Sequence, residues 1–134
     1  MSRPPADRGQ VTAFVVFLAF ALILCAGLVV DGGHLFAATR DARNAAASAA
    51  RAGAQALDVR AFRVDDARAL DPRTATTKAA TYLAAAGYQG SVAIKDDTVT
   101  VTVTIHVPML LLNVVGVPPR TVTVTEAARI QSGP

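Results

Sequence analysis

The sequence is short of the residues that most often carry chemistry. Its 134 residues include one cysteine, two histidines, no tryptophan and a single glutamate, Glu126. One cysteine cannot form an internal disulfide, so cysteine usage leaves the redox compartment open. The sequence shows no Ser/His/Asp set with supporting motifs, no motif-placed pair of carboxylates, no metal-ligand spacing and no phosphate-binding loop. We therefore predict a protein that is not an enzyme, with no catalytic, cofactor-binding or metal-binding residues.

Charge is also sparse, and its arrangement argues against nucleic acid as a partner. Charged residues make up 17% of the chain, and the formal net charge is +3. Between Asp31 and Arg73 the arginines are interleaved with aspartates, which is typical of a solvated helix face rather than of a basic stripe. Basic residues are not interleaved with aromatic ones, so the pattern used to bind nucleic acids is missing.

One long uncharged run is present instead. Residues 11–30 read VTAFVVFLAFALILCAGLVV, twenty residues without a charge. As a helix they span about 30 Å, the thickness of the hydrocarbon core of a bilayer. One alternative is a buried core helix. The other is a secretory signal cleaved near Cys25-Ala26-Gly27, although the apolar region of such signals is usually shorter, at about 7–15 residues. Leu24 is too bulky for a lipoprotein signal at Cys25. We predict a leader at residues 1–10 and a transmembrane helix at residues 11–30.

Asp31, Gly32 and Gly33 end the apolar run. Asp31 stands where the hydrocarbon ends, so its charge is expected to reach headgroups or water. Each glycine costs a helix about 1 kcal/mol relative to alanine, which would permit a hinge. A continuous helix is favoured because lipid would hold the segment before the glycines in a helix and alanine propensity would hold the segment after them. The pattern leaves both a hinge and a continuous helix open.

Residues 31–58 are predicted to extend this helix with two contrasting faces. At 100° per residue the polar side chains fall on one side: Arg40, Asp41, Arg43, Asn44, Arg51, Gln55 and Asp58. The opposite side is a packing face of small residues: Leu35, Ala38, Ala42, Ala45, Ala46, Ala49, Gly53 and Ala56. Small residues let another backbone approach closely. This face is predicted to contact a partner helix or sheet, or to cover the core of its own domain.

Residues 59–134 are predicted to form a small αβββ domain. After a charged connector, Asp71-Pro72 is typical of a helix start, and Gly87 ends that helix after about Ala86. Three strands are expected at residues 91–95, 98–108 and 121–125. In the second strand valines and threonines alternate strictly, so its valine face points inward. The predicted fold class is α+β: a long N-terminal helix, a second short helix and an antiparallel β-meander, with the long helix lying across the valines.

An apolar stretch, MLLLNVVG at residues 109–116, separates the last two strands. It is too short to span a membrane. One interpretation is a loop or one-turn helix that closes the end of the sheet. The other is an exposed apolar patch for a partner or for the membrane surface.

A short Arg-Gly leader, an Asp-Gly exit from an apolar segment and an alanine-rich helix occur together in this chain. The residues are RGQV at 8–11 and GLVVDGG at 27–33, followed by Arg40, Asn44 and the alanine run. In this combination residues 8–58 resemble the TadE/TadG-like family of Flp (tight adherence) pilus-assembly proteins. The resemblance implies a pilin-like, single-pass protein of the cell membrane with a cytoplasmic N terminus and an extracytoplasmic C-terminal domain.

The chain departs from the pilin pattern at one position. Prepilin-type processing follows a glycine and is accompanied by a glutamate at the fifth position after it. With Gly9 and Gln10 as the candidate leader-processing site, that position holds Phe14. By the resemblance, the glutamate would neutralise the new amine of a neighbouring subunit, since an unpaired amine in lipid is costly. We therefore predict an accessory or minor pseudopilin-like subunit rather than a major pilin.

The predicted partners are membrane lipid and other pilus-assembly or secretion-system subunits, with homo- or hetero-oligomers formed through the alanine-rich helix. Two other classes of function stay open. One is a secreted small β-rich binding domain with a cleaved N-terminal signal. The other is an anchored envelope protein unrelated to pili.

Overall fold

The computed structural model describes residues 7–61 and 72–129. These residues form two helices and a three-stranded sheet: α1 at Asp7–Ala61, α2 at Pro72–Ala85, β1 at Gly90–Lys95, β2 at Thr98–Val107 and β3 at Arg120–Arg129. The predicted α+β fold class is confirmed. The start of the predicted leader and most of the charged connector, including Asp71, lie outside the described residues.

α1 is one continuous helix of 55 residues, about 80 Å long at 1.5 Å per residue. It passes through Gly32 and Gly33 without a break. A Cβ added at either glycine would have no neighbouring atom within 4 Å. The alanine-rich continuation thus outweighs the cost of the two glycines, and the continuous interpretation is the correct one.

The three strands pair antiparallel in the order β1-β2-β3. β2 is central, and its alternation places the valines on the buried face, while threonines such as Thr104 face outward and meet a β3 hydroxyl, Thr123, at 3.2 Å. β3 continues to Arg129, four residues beyond the predicted end of the strand. Pairing with β2, such as Ala128 opposite Val99, extends the ladder after the local Val/Thr alternation has stopped.

The end of α2 is fixed by a glycine in the left-handed conformation. Gly87 has φ +78°, a value that side-chain-bearing residues rarely adopt. The Gly87 N–H donates to the carbonyl of Ala84 at 3.1 Å, and the Tyr88 N–H donates to the carbonyl of Leu83 at 2.9 Å. These two bonds close the helix as a Schellman motif. α2 thereby ends close to the predicted residue and turns the chain into β1.

The core forms where small residues of the helices meet the valine face of the sheet. Its buried members are Ala42, Ala46, Ala49, Ala50, Ala54, Ala75, Ala79, Leu83, Val99, Val101, Val103 and Val124. Gly53 marks a close approach of α1 to its neighbours. A Cβ at Gly53 would lie 3.1 Å from Val99 Cγ1 and 3.2 Å from the Ala75 carbonyl oxygen. This part of the small face therefore covers the core of its own domain.

β2 runs back along α1 toward the apolar segment. Val99, near the start of β2, lies beside Gly53, whereas Leu112, beyond its end, lies beside Gly27. These two contacts are separated by about 39 Å of helix. The connection between β2 and β3 contains a 3-10 helix at Leu112–Val115, closed by Gly116 at φ 86°. The β2–β3 connection therefore lies beside α1 near the point where the uncharged run ends.

Candidate functional site at the end of the apolar segment

The side chain of Asp31 holds the β2–β3 connection against α1. Its carboxylate accepts hydrogen bonds from three successive backbone N–H groups. Leu110 donates to Oδ1 at 2.8 Å, Leu112 donates to Oδ2 at 2.7 Å, and Leu111 donates to both oxygens at 3.1 Å. Hydrogen bonds to an ionised acceptor are stronger than bonds between neutral groups. One carboxylate thereby joins elements that are 79 to 81 residues apart in the sequence.

The start of the 3-10 helix explains why the carboxylate is needed there. The first N–H groups of any helix lack partners within that helix, and β2 has already ended at Val107. Leu111, at the N-cap position, offers no side-chain hydrogen bond. Asp31 supplies the missing acceptors from another element. In return, the three N–H groups compensate the carboxylate for its removal from water, which would otherwise be costly.

This finding corrects the expectation that the charge of Asp31 reaches headgroups or water. Asp31 is only 1% exposed, and it is the one buried charged residue among the described side chains. The expectation failed because it considered only the position of Asp31 along the helix. The partners of Asp31 are backbone groups of a distant connection, which no local pattern reveals.

Gly27 provides the second contact, one helical turn before Asp31. Residues four apart lie on the same helix face, so Gly27 and Asp31 form one strip beneath the connection. A Cβ at Gly27 would lie 3.4 Å from Leu112 Cδ2 and 3.5 Å from Leu111 Cβ. These are ordinary van der Waals distances for an added methyl group, so the connection lies over α1 with room for about one methyl group at Gly27.

The outer surface of the connection is apolar and exposed. Leu110, Leu111, Val114 and Val115 are 55%, 48%, 86% and 49% exposed, respectively. Both earlier interpretations of this stretch therefore hold in part, because it forms one helical turn at the end of the sheet and also presents apolar side chains outward. α1 exposes apolar side chains at the same height, including Leu28 at 63%. Exposed apolar side chains of both the connection and α1 therefore lie near the end of the uncharged run.

The remaining residues singled out from the sequence are spread along α1. Gly9 and Gln10 lie exposed in its first turns, Gly32 is half-buried and Gly33 is exposed. The predicted packing face divides into a half-buried part, Leu35 and Ala38, and a buried part, Ala42, Ala45, Ala46, Ala49, Gly53 and Ala56. Among the described residues, no group of His, Cys, Asp or Glu side chains is arranged to hold a metal ion.

Comparison with known proteins finds a family for the helix that carries this site. Residues 9–56 match the family model described as "Putative Flp pilus-assembly TadE/G-like". The matched segment contains Gly27, Asp31 and Gly53, and it ends before α2 and the sheet. The resemblance predicted for residues 8–58 is confirmed over this segment. No curated protein and no solved structure matches the chain.

Proposed function

We propose that the chain is a membrane-anchored accessory or minor pseudopilin-like subunit of Flp pilus assembly. One observation carries the proposal: the segment that matches the pilus-assembly family is also a helix long and apolar enough to cross a membrane. Phe14, Phe17 and Ile23 are 67%, 75% and 68% exposed. An apolar surface this large does not stay in contact with water in a soluble protein, and hydrocarbon is the solvent that suits it.

The role we propose is structural. α1 carries the packed domain on a continuous helix, and the domain acts through contacts with other subunits. We infer a cytoplasmic N terminus and an extracytoplasmic domain. The family resemblance supports this orientation, whereas the positive charges on the two sides of the span are nearly balanced.

The position of the small residues restricts where a partner can contact α1. Ala42, Ala49 and Gly53 are buried beneath α2 and the sheet of the same chain. Another subunit therefore has to contact the exposed apolar segment or the polar face, where Arg40 and Arg51 are exposed. An oligomer contact through the alanine-rich helix would therefore use a face other than its packing face of small residues.

The uncharged segment supports an accessory role rather than that of the repeating filament subunit. Residues 11–30 contain no carboxylate that could pair with the N-terminal amine of a neighbour. An ionised amine without a partner is expensive within a bilayer. A chain with Phe14 at this position is better suited to contacts that involve few copies.

The alternative of a secreted domain is disfavoured by the contacts of Gly27. Cleavage near Cys25-Ala26-Gly27 would remove or fray the helical turn on which Leu111 and Leu112 rest. The packed connection therefore supports a chain that keeps its apolar segment. Mass spectrometry of the N terminus of the native protein separates the two cases. A mature chain that begins near residue 28 would show that the apolar segment is cleaved off and that the domain is secreted.

Deletion of the coding region in the native host tests the proposal. We expect pilin to accumulate normally while assembled Flp pili, collected by shearing, are lost, with restoration by the full-length chain. We also expect the restored chain to remain in carbonate-washed membranes and to be scarce in sheared filaments. Normal piliation without the chain would contradict a role in pilus assembly. Abundance in filaments similar to that of pilin would contradict the accessory role.

A further inference from the structure

The β2–β3 connection carries an apolar surface that the proposed function does not use. Residues 107–119 contain no charged side chain, and Asn113 is the one polar side chain among them. Met109 is buried against the fold, whereas Leu110, Leu111, Val114 and Val115 point outward. Val114, at 86% exposed, is more exposed than any other large apolar residue among the described side chains. An exposed apolar surface of this kind marks a site of contact with another protein or with a membrane.

The height of the connection along α1 indicates what that partner is. Leu111 and Leu112 contact Gly27, which lies three residues inside the end of the uncharged run, or about 4.5 Å along the helix axis. If residues 11–30 fill the hydrocarbon core, the connection stands at the boundary between acyl chains and headgroups. At this height α1 also exposes Leu28 and Val30, which are 63% and 48% exposed.

We propose that the β2–β3 connection is a second membrane contact, in which Leu110, Leu111, Val114 and Val115 insert among the lipids of the leaflet through which α1 leaves the bilayer. The proposal rests on the membrane-spanning role of α1 proposed above. Apolar side chains of interfacial elements bury about 5–10 Å into this boundary region. Asp31 and Gly27 hold the connection at this depth, so the lipid contact comes from a pre-formed surface.

The residues at the base of the connection suit the same environment. His106, the next-to-last residue of β2, and Arg120, the first residue of β3, are exposed on either side of the apolar stretch. A basic side chain just beyond an apolar insertion can reach lipid phosphates while its stem stays in the apolar layer. Because the connection lies on one side of α1, its insertion would also fix which side of the domain faces the bilayer.

The experiment uses the full chain with Cys25→Ser, reconstituted at high dilution into vesicles of phosphatidylcholine and phosphatidylglycerol. Single cysteines at Val114→Cys, Phe20→Cys or Asp97→Cys carry a polarity-sensitive fluorophore. Lipids brominated near the headgroup end or near the chain ends report depth by quenching. Phe20 reports the span itself. Asp97, in the turn between β1 and β2, is the distal control, since β2 places it about 33 Å from the connection.

We expect the label at Val114 to be quenched severalfold more than the label at Asp97, most strongly by the shallow bromine, and the label at Phe20 to be quenched by the deep bromine. An additional Leu111→Lys substitution should reduce quenching at Val114 and leave Phe20 unchanged. Quenching at Phe20 with none at Val114 would overturn the second contact while the span stands. Absence of quenching at both positions would overturn both proposals. A blue shift at Val114 that grows with protein density would assign the surface to a second copy instead.

Discussion

Asp31 and Leu111 lie 80 residues apart in the sequence, yet both carboxylate oxygens of Asp31 accept from the Leu111 backbone N–H at 3.1 Å. Leu110 and Leu112 complete the contact from either side. This single side chain therefore accepts from three successive N–H groups of the β2–β3 connection and ties it to α1.

Substitution of Asp31 should release the connection in a graded order. Asp31→Asn keeps one acceptor oxygen, whereas Asp31→Ala keeps none and leaves three N–H groups without their partner. We expect protease cleavage within residues 109–117 to increase from wild type to Asn to Ala, with a parallel fall in the thermal midpoint in detergent. Asp41→Asn is the control, because Asp41 is exposed on the polar face. Equal cleavage of Asp31→Ala and Asp41→Asn would show that the carboxylate does not hold the connection.

Added bulk at the buried part of the small face should destabilise the domain. Gly53→Leu and Ala49→Leu place side chains where Val99 and α2 already fill the space, and overpacking typically costs about 1–3 kcal/mol. Gly33→Leu is the matched control on the same helix, because a Cβ at Gly33 would meet no atom within 4 Å. Chemical denaturation in detergent measures the free energy of unfolding. A loss at Gly33 as large as that at Gly53 would argue against the observed packing.

Replacing the two exit glycines should strengthen α1 without disturbing the fold. Gly32→Ala and Gly33→Ala each gain up to about 1 kcal/mol of helix propensity, and both positions have room for the added methyl group. Since α1 is continuous, we expect the double variant to unfold at a higher temperature and to support normal piliation. Higher stability combined with lost piliation would instead reveal that assembly requires α1 to bend here.

The domain should be reachable from outside the cell. In a Cys25→Ser background, Asp97→Cys places a thiol at an exposed turn far from the span, and Ser2→Cys places one in the leader. We expect an impermeant maleimide to label Asp97→Cys in intact cells and Ser2→Cys only after lysis. The reverse pattern would invert the proposed orientation.

Local patterns predicted the parts of the fold that depend on neighbours in the sequence. The uncharged run has the length of a membrane-spanning helix, and the alternating strand and the alanine face repeat with the period of one element, so helix, sheet and core could be assigned from the residues. The end of β3 could not, because cross-strand pairing rather than side-chain alternation carries it from Glu126 to Arg129. The site could not be predicted either. Asp31 is conspicuous in the sequence for its position, but its partners are backbone N–H groups, which every residue except proline has.

The contact at Asp31 also couples movements of the anchor to movements of the domain. A shift of α1 by one residue relative to the sheet would displace the carboxylate by 1.5 Å along the axis and by 100° around it, away from all three donors. It would also move Gly53 from beside Val99 and place a larger side chain there. α1 therefore cannot slide past its own domain. If a subunit were pulled along the membrane normal, α1, the connection and the sheet would move together as one rigid body, each by the same distance.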